Sequence, residues 1–140
     1  MITENDVVER VTAYLIRRNW RIVSSASTSE HGPDIVARSD AGREIWVEAK
    51  GQTSSKEGTR RYGKEFNRNQ KEDSLGRAFL KCCQLVSERT DLVVALALPS
   101  DDVNSELISR ISPALQRLRV ISFLVNEDGV VEISRDIASV

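Results

Sequence analysis

The chain has 140 residues, of which 20 are Lys or Arg and 21 are Asp or Glu, a formal charge of −1. With 40% hydrophobic and 29% charged residues it reads as one soluble globular domain, long enough to bury a core and neither collagen-like nor disordered. The longest apolar run, Leu92 to Leu98, is far short of the roughly 20 residues of a membrane-spanning helix, and Met1 to Arg10 lacks the apolar centre of a secretory signal. The near-neutral charge argues against a histone-like binder but leaves room for local basic patches. Cys82 and Cys83 are adjacent, where a mutual disulfide would be strained, so reduced thiols and a cytoplasmic location are expected. One His and no CxxC leave no zinc site of the usual kind.

An opening helix is expected from Thr3 to Asn19, with Thr3 as N-cap, acids in the first turn, and Arg17 and Arg18 in the last. Arg21 to Ser24 reads as a short strand and Ser24 to Gly32 as polar loop. Ile35 to Arg38 and Arg43 to Lys50 read as two strands around Asp40-Ala41-Gly42, a hairpin signal with Gly placed for a positive φ. Gly51 to Asn69 is long, polar and aperiodic, the kind of stretch that is functional or mobile in a compact domain. A helix follows from Gln70 to Glu88, and then Leu92 to Leu98 as a fully buried strand. Asp102 to Ile111 is expected to be helical, with Ser112-Pro113 starting a second short helix. Val120 to Val125 and Val130 to Ile133 flank Asn126-Glu127-Asp128-Gly129 as a second hairpin. The order α-β-β-β-α-β-α-β-β predicts an α/β domain with one mixed sheet and helices packed against it.

The informative stretch is Gly32-Pro33-Asp34-Ile35-Val36-Ala37 followed by Glu44-Ile45-Trp46-Val47-Glu48-Ala49-Lys50. Alternate strand residues share a face, so Ile45, Val47 and Ala49 point one way and Trp46, Glu48 and Lys50 the other. With a three-residue loop at 40–42, opposed residues have numbers summing to 82: Ile35 meets Val47, Ala37 meets Ile45, and Asp34 meets Glu48. Two like charges directly opposite are destabilising. A divalent cation would compensate them, and hard oxygen ligands of this kind suit Mg²⁺ or Mn²⁺.

Pro33-Asp34 joined by a hairpin to Glu48-Ala49-Lys50, with an acidic helix before them, resembles the PD-(D/E)xK nuclease superfamily, among its members the small resolvase-like and restriction-enzyme-like ones. The resemblance covers about Thr3 to Leu98. It implies a restriction-endonuclease-like αβββαβ core, with an added αββ element from about residue 101 to 140. It further implies Mg²⁺ (or Mn²⁺) held by Asp34, Glu48 and the carbonyl of Ala49. Lys50 would orient the attacking water and stabilise the transition state of phosphodiester hydrolysis in DNA. The family also uses an acid from the first helix. Of Glu4 and Glu9, Glu4 falls on the stripe formed by Val7, Val8, Val11, Tyr14 and Leu15, where a carboxylate calls for a partner.

Between Gly51 and Glu72 stand Lys56, Arg60, Arg61, Lys64, Arg68 and Lys71, against three acids, with Tyr62 and Phe66 interleaved. This reads either as a flap that tracks a phosphate backbone or as a solvated loop. Lys56, Arg60, Arg61, Lys64 and Arg68 are the backbone-binding candidates, with Gln70 and His31 as further possible contacts. Gln52 reads as a polar loop residue, and Trp46 as a side chain packed under a helix. The family resemblance implies an endonuclease, and a homodimer if both strands are cut, with the last strands available as an edge. The competing reading is a non-catalytic module of the same fold that binds nucleic acid or a partner protein.

Overall fold

The computed structural model describes residues 1–25, 32–53, 63–129 and 131–137. The elements run α1 (Glu4–Arg17), β1 (Arg21–Ser25), β2 (Ile35–Arg38), β3 (Glu44–Ala49), α2 (Arg68–Glu88), β4 (Leu92–Pro99), α3 (Asp102–Leu118), β5 (Ile121–Val125) and β6 (Val131–Ile133). This is the expected order. One six-stranded sheet has its strands side by side in chain order, antiparallel at β1–β2, β2–β3 and β5–β6 and parallel at β3–β4 and β4–β5.

Helix α1 starts where a capping box satisfies two orphan N–H groups: the Asp6 amide donates to Thr3 Oγ1 at 3.1 Å and the Thr3 amide to Asp6 Oδ2 at 2.9 Å. Its buried stripe is Val7, Val8, Val11, Tyr14 and Leu15, which packs on Ile35, Ala37, Ile45, Val47, Ala49, Ala95, Ala97 and Phe123. The residues between these along β4 face the other way. Val94, Leu96 and Leu98 meet Leu75 and Cys82 of α2 and Ile108 and Leu115 of α3. Helices on both faces explain why β4 is apolar along its length while β3 alternates.

The hairpin register is the one the alternation predicts, with Ile35 opposite Val47 and Ala37 opposite Ile45. The Ser39 amide donates to Arg43 O at 2.8 Å across the three-residue turn, and Gly42 takes a φ of 83°. Two boundaries differ from expectation. Helix α2 begins at Arg68 because Asn67 and Gln70 form a capping box. Helix α3 continues through Ser112-Pro113 as one helix instead of two. Pro113 and Ser109, whose carbonyl loses its helical donor, are both exposed, so water can satisfy that carbonyl while Ile108 and Leu115 hold the two halves to the same core.

Lys71, counted above among the flap's charges, is buried: its side chain is 4% exposed and pairs with Glu65 and Asp101, each at 3.1 Å. Asp101 also caps α3 and accepts from Gln52 Nε2 at 3.0 Å. This network joins the ends of β3, α2 and α3. Lys71→Met removes its only buried cation among the described residues and is expected to cost about 2–3 kcal/mol in urea unfolding, below the roughly 3–5 kcal/mol of a fully enclosed pair because Glu65 is half exposed.

Candidate active site

The site forms where β2 begins and β3 ends. The Asp34 amide donates to Val47 O at 3.0 Å, the residue that already pairs with Ile35, so the backbone is irregular one step before the first paired position, and the Asp34 and Glu48 carboxyls come close enough to act on each other. The Asp34 carboxylate is then fixed by the Ala49 amide, which donates to Oδ2 at 2.7 Å. Only 8% of Asp34 and 3% of Glu48 are exposed. Burial raises both carboxyls above their ordinary range; Asp34 adds to the rise at Glu48, while the Ala49 amide opposes it at Asp34.

Glu4 arrives from α1. Three contacts bring that helix end to the site: Gln52 N donates to Ile2 O at 2.9 Å, Ile2 N donates to Gln52 Oε1 at 2.8 Å, and Thr3 bridges Thr53 as in a parallel sheet. Gly51 lies against the backbone of Thr3 and Glu4 with no room for a Cβ. Burial first, and then the charge of Asp34, push the Glu4 carboxyl up to about 7. Glu9, the other helix acid, is exposed.

The shift at Glu4 has a sign that can be tested. The unfolded chain releases this proton near pH 4.5, whereas the folded one holds it to about pH 7. The folded state therefore binds more protons across that window, and stability of the metal-free protein falls as pH rises through it. The full shift corresponds to roughly 3 kcal/mol, and screening at a partly exposed group reduces the expected loss to about 2 kcal/mol. Glu4→Gln should flatten the fall, as read by urea unfolding at pH 5, 6, 7 and 8 in chelator. An unchanged slope would remove Glu4 from the cluster.

Lys50 follows Glu48 by two residues and is half-buried, its amide donating to Ala97 O at 3.0 Å. Its positive charge acts on Glu4, Asp34 and Glu48. A second lysine, not anticipated from the sequence, sits closer: Lys81 Nζ of α2 donates to Glu48 Oε1 at 3.0 Å. Its one sequence signal is a place three residues after buried Ala78, at the margin of the α2 stripe. Gln52, read as a loop residue, is buried and holds the start of α1 in place. Beside Glu48 and Lys81 opens a cavity of about 230 Å³ lined by Pro33, Trp46, Gln84 and Leu85. A larger cleft, about 630 Å³, lies at the far end of the β2–β3 hairpin among Arg17, Arg18 and Arg43 and contains no residue of the site.

Of the backbone-binding candidates, Lys64, Arg68 and Gln70 fall among the described residues. His31, Lys56, Arg60 and Arg61 lie outside the described residues. Lys64 is exposed beside the stem where Thr53 Oγ1 donates to Lys64 O at 2.6 Å. Arg68 is exposed and paired with Glu72 and Glu106. The Gln70 side chain accepts from the Asn67 amide at 2.8 Å as part of the α2 cap.

Among the described residues no group of three or more His, Cys, Asp or Glu side chains is placed to hold a metal ion. The donor set on hand is the Asp34–Glu48 pair. Two carboxylates with water completing the shell suit Mg²⁺, which keeps several waters, and their burial against each other is the kind of strain a divalent ion relieves.

The mixed sheet between α1 on one face and α2 and α3 on the other defines a restriction-endonuclease-like fold. Two solved structures share it: an XisH family protein from Nostoc punctiforme (19% identity, TM-score 0.53) and an fdxN element excision controlling factor protein from Anabaena variabilis (19% identity, TM-score 0.54), each over 90% of this chain and 95% of the other. No family model matches the chain, and no curated protein does. No helix among the described residues is long and apolar enough to cross a membrane.

Proposed function

We propose that the chain is a metal-dependent nuclease that hydrolyses phosphodiester bonds in DNA as an endonuclease. The observation that carries this reading is the pair of buried carboxylates, Asp34 just before β2 and Glu48 in β3, which act on each other, with Lys50 two residues after Glu48 and Glu4 brought in by α1. A domain built only to bind has no use for like charges forced together at the expense of stability.

Asp34, Glu48 and the Ala49 carbonyl would hold Mg²⁺ or Mn²⁺, which supplies positive charge at the scissile phosphate and makes water easier to deprotonate. The Ala49 amide keeps the Asp34 carboxylate aimed, with the Glu48 carboxylate close enough to act on it. Lys50 orients the attacking water and offsets charge on the phosphate in the transition state. Glu4, with a carboxyl that titrates near neutral pH, is suited to hold or accept a proton from water beside the pair. Exposed Lys64 and Arg68, with the bases at 56, 60 and 61, would follow the phosphate backbone. Cutting both strands of a duplex calls for a homodimer.

Calorimetry with Mn²⁺ on the wild type and on Asp34→Asn tests this reading. Binding lost in the variant supports it. Equal binding in both, or none in either with an oligonucleotide present, favours a non-catalytic module that binds nucleic acid or a partner.

A further inference from the structure

This inference rests on the nuclease reading and concerns how the site is kept before a metal arrives. Lys81 projects from the middle of α2 onto Glu48 with Nζ 3.0 Å from Oε1, and its charge also acts on Asp34 and Glu4. The two ends of the ion pair differ in freedom: the Glu48 side chain is 4% exposed and fixed on the sheet, whereas that of Lys81 is 51% exposed on a flexible four-carbon stem. Lys50, one residue past the end of β3, acts on the same acids and, among the described residues, is in no ion pair with any carboxylate. The cluster therefore holds three acids and two lysines, and one lysine stands where a cation on Glu48 would stand.

We propose that Lys81 is a resident counter-ion of Glu48 that competes with the divalent metal and swings out when the metal binds. The ammonium keeps a buried carboxylate paired in the metal-free protein, where an unpaired one would be costly. The same contact must be broken for a metal ion to take the Glu48 oxygen, so it lowers metal affinity. Lys81 is thus a positioning residue whose removal acts on binding in the direction opposite to the loss of a ligand.

Lys81→Met keeps the stem and removes the charge. By calorimetry it is expected to bind Mn²⁺ about tenfold more tightly than the wild type, since the metal no longer displaces a cation. In chelator its melting temperature should fall, and the rise on adding Mn²⁺ should exceed that of the wild type. Lys81→Arg retains the charge and should stay close to the wild type in both. Mn²⁺ affinity of Lys81→Met equal to or below wild type, or an equal rise in Lys81→Met and Lys81→Arg, overturns the proposal. A Lys81→Met chain that folds only with Mn²⁺ is the expected result in extreme form; one that folds under neither condition passes the decision to Lys81→Gln by the same affinity criterion. The two readings fail differently. If wild type and Asp34→Asn bind Mn²⁺ alike or not at all, the nuclease reading falls. If the wild type binds through Asp34 and Lys81→Met binds no tighter, only the counter-ion falls.

Discussion

Asp34→Asn should lose DNA cleavage by about a thousandfold and yet unfold at a higher denaturant concentration than the wild type in metal-free buffer. The two effects have one cause. Glu4, Asp34 and Glu48 share a small volume with Lys50 and Lys81, an excess of one negative charge that burial makes expensive. The asparagine side chain is nearly the same shape, and its carbonyl can still accept from the Ala49 amide. The exchange therefore removes a buried charge without breaking the hydrogen bond that aims the side chain. A gain of about 1 kcal/mol is expected above pH 7, shrinking toward pH 5 as Glu4, pushed up to about 7, takes up its proton and the crowding of charge eases. Urea unfolding in chelator at two pH values, with and without Mn²⁺, reads all of this. Loss of stability in the variant at neutral pH would mean that Asp34 serves the fold and not the site.

Gly51→Ala should be the most damaging alanine substitution among the described glycines. An added Cβ would lie 2.3 Å from the Glu4 amide nitrogen and 2.6 Å from the Thr3 carbonyl carbon. Both are backbone atoms, so no side-chain rotation relieves the clash. The start of α1 must move away from the end of β3, straining the Gln52–Ile2 hydrogen bonds and the Thr3–Thr53 bridge. Overpacking of this kind costs about 3 kcal/mol, at the upper end of its usual range because backbone must shift. Glu4 leaves the cluster with the helix end. The variant should therefore show both a lower melting temperature and the flatter pH–stability curve expected of Glu4→Gln. A melting temperature within a degree of wild type would show that the approach of the two segments is looser than described.

The hairpin and its register were legible because every clue is local. Alternation at 45, 47 and 49, a three-residue turn with Gly42, and apolar partners at 35 and 37 leave one register that buries the right face. The α1 stripe was legible for the same reason, one helix period carrying Val7 to Leu15. What stayed hidden is what the tertiary fold creates. Lys81 meets Glu48 across 33 residues, and Gln52 meets Ile2 across 50. Lys71 looked like one more solvent-facing base until α2 and α3 closed over it. Gly51 reads as the first residue of the polar stretch after the strand, and only the arrival of α1 shows why a side chain is excluded there.

The three-residue turn between β2 and β3 also limits what insertions this chain can accept. Strand β3 is pinned on its other side by six paired positions with β4, so it cannot slide to absorb an added residue. Strand β2 would have to, and with a two-residue repeat one step carries Asp34 away from Glu48 and turns it toward the apolar layer under α1. Surface turns commonly vary in length without consequence. Here the length of a solvent-exposed turn sets the spacing of two buried carboxylates at the opposite end of the strands.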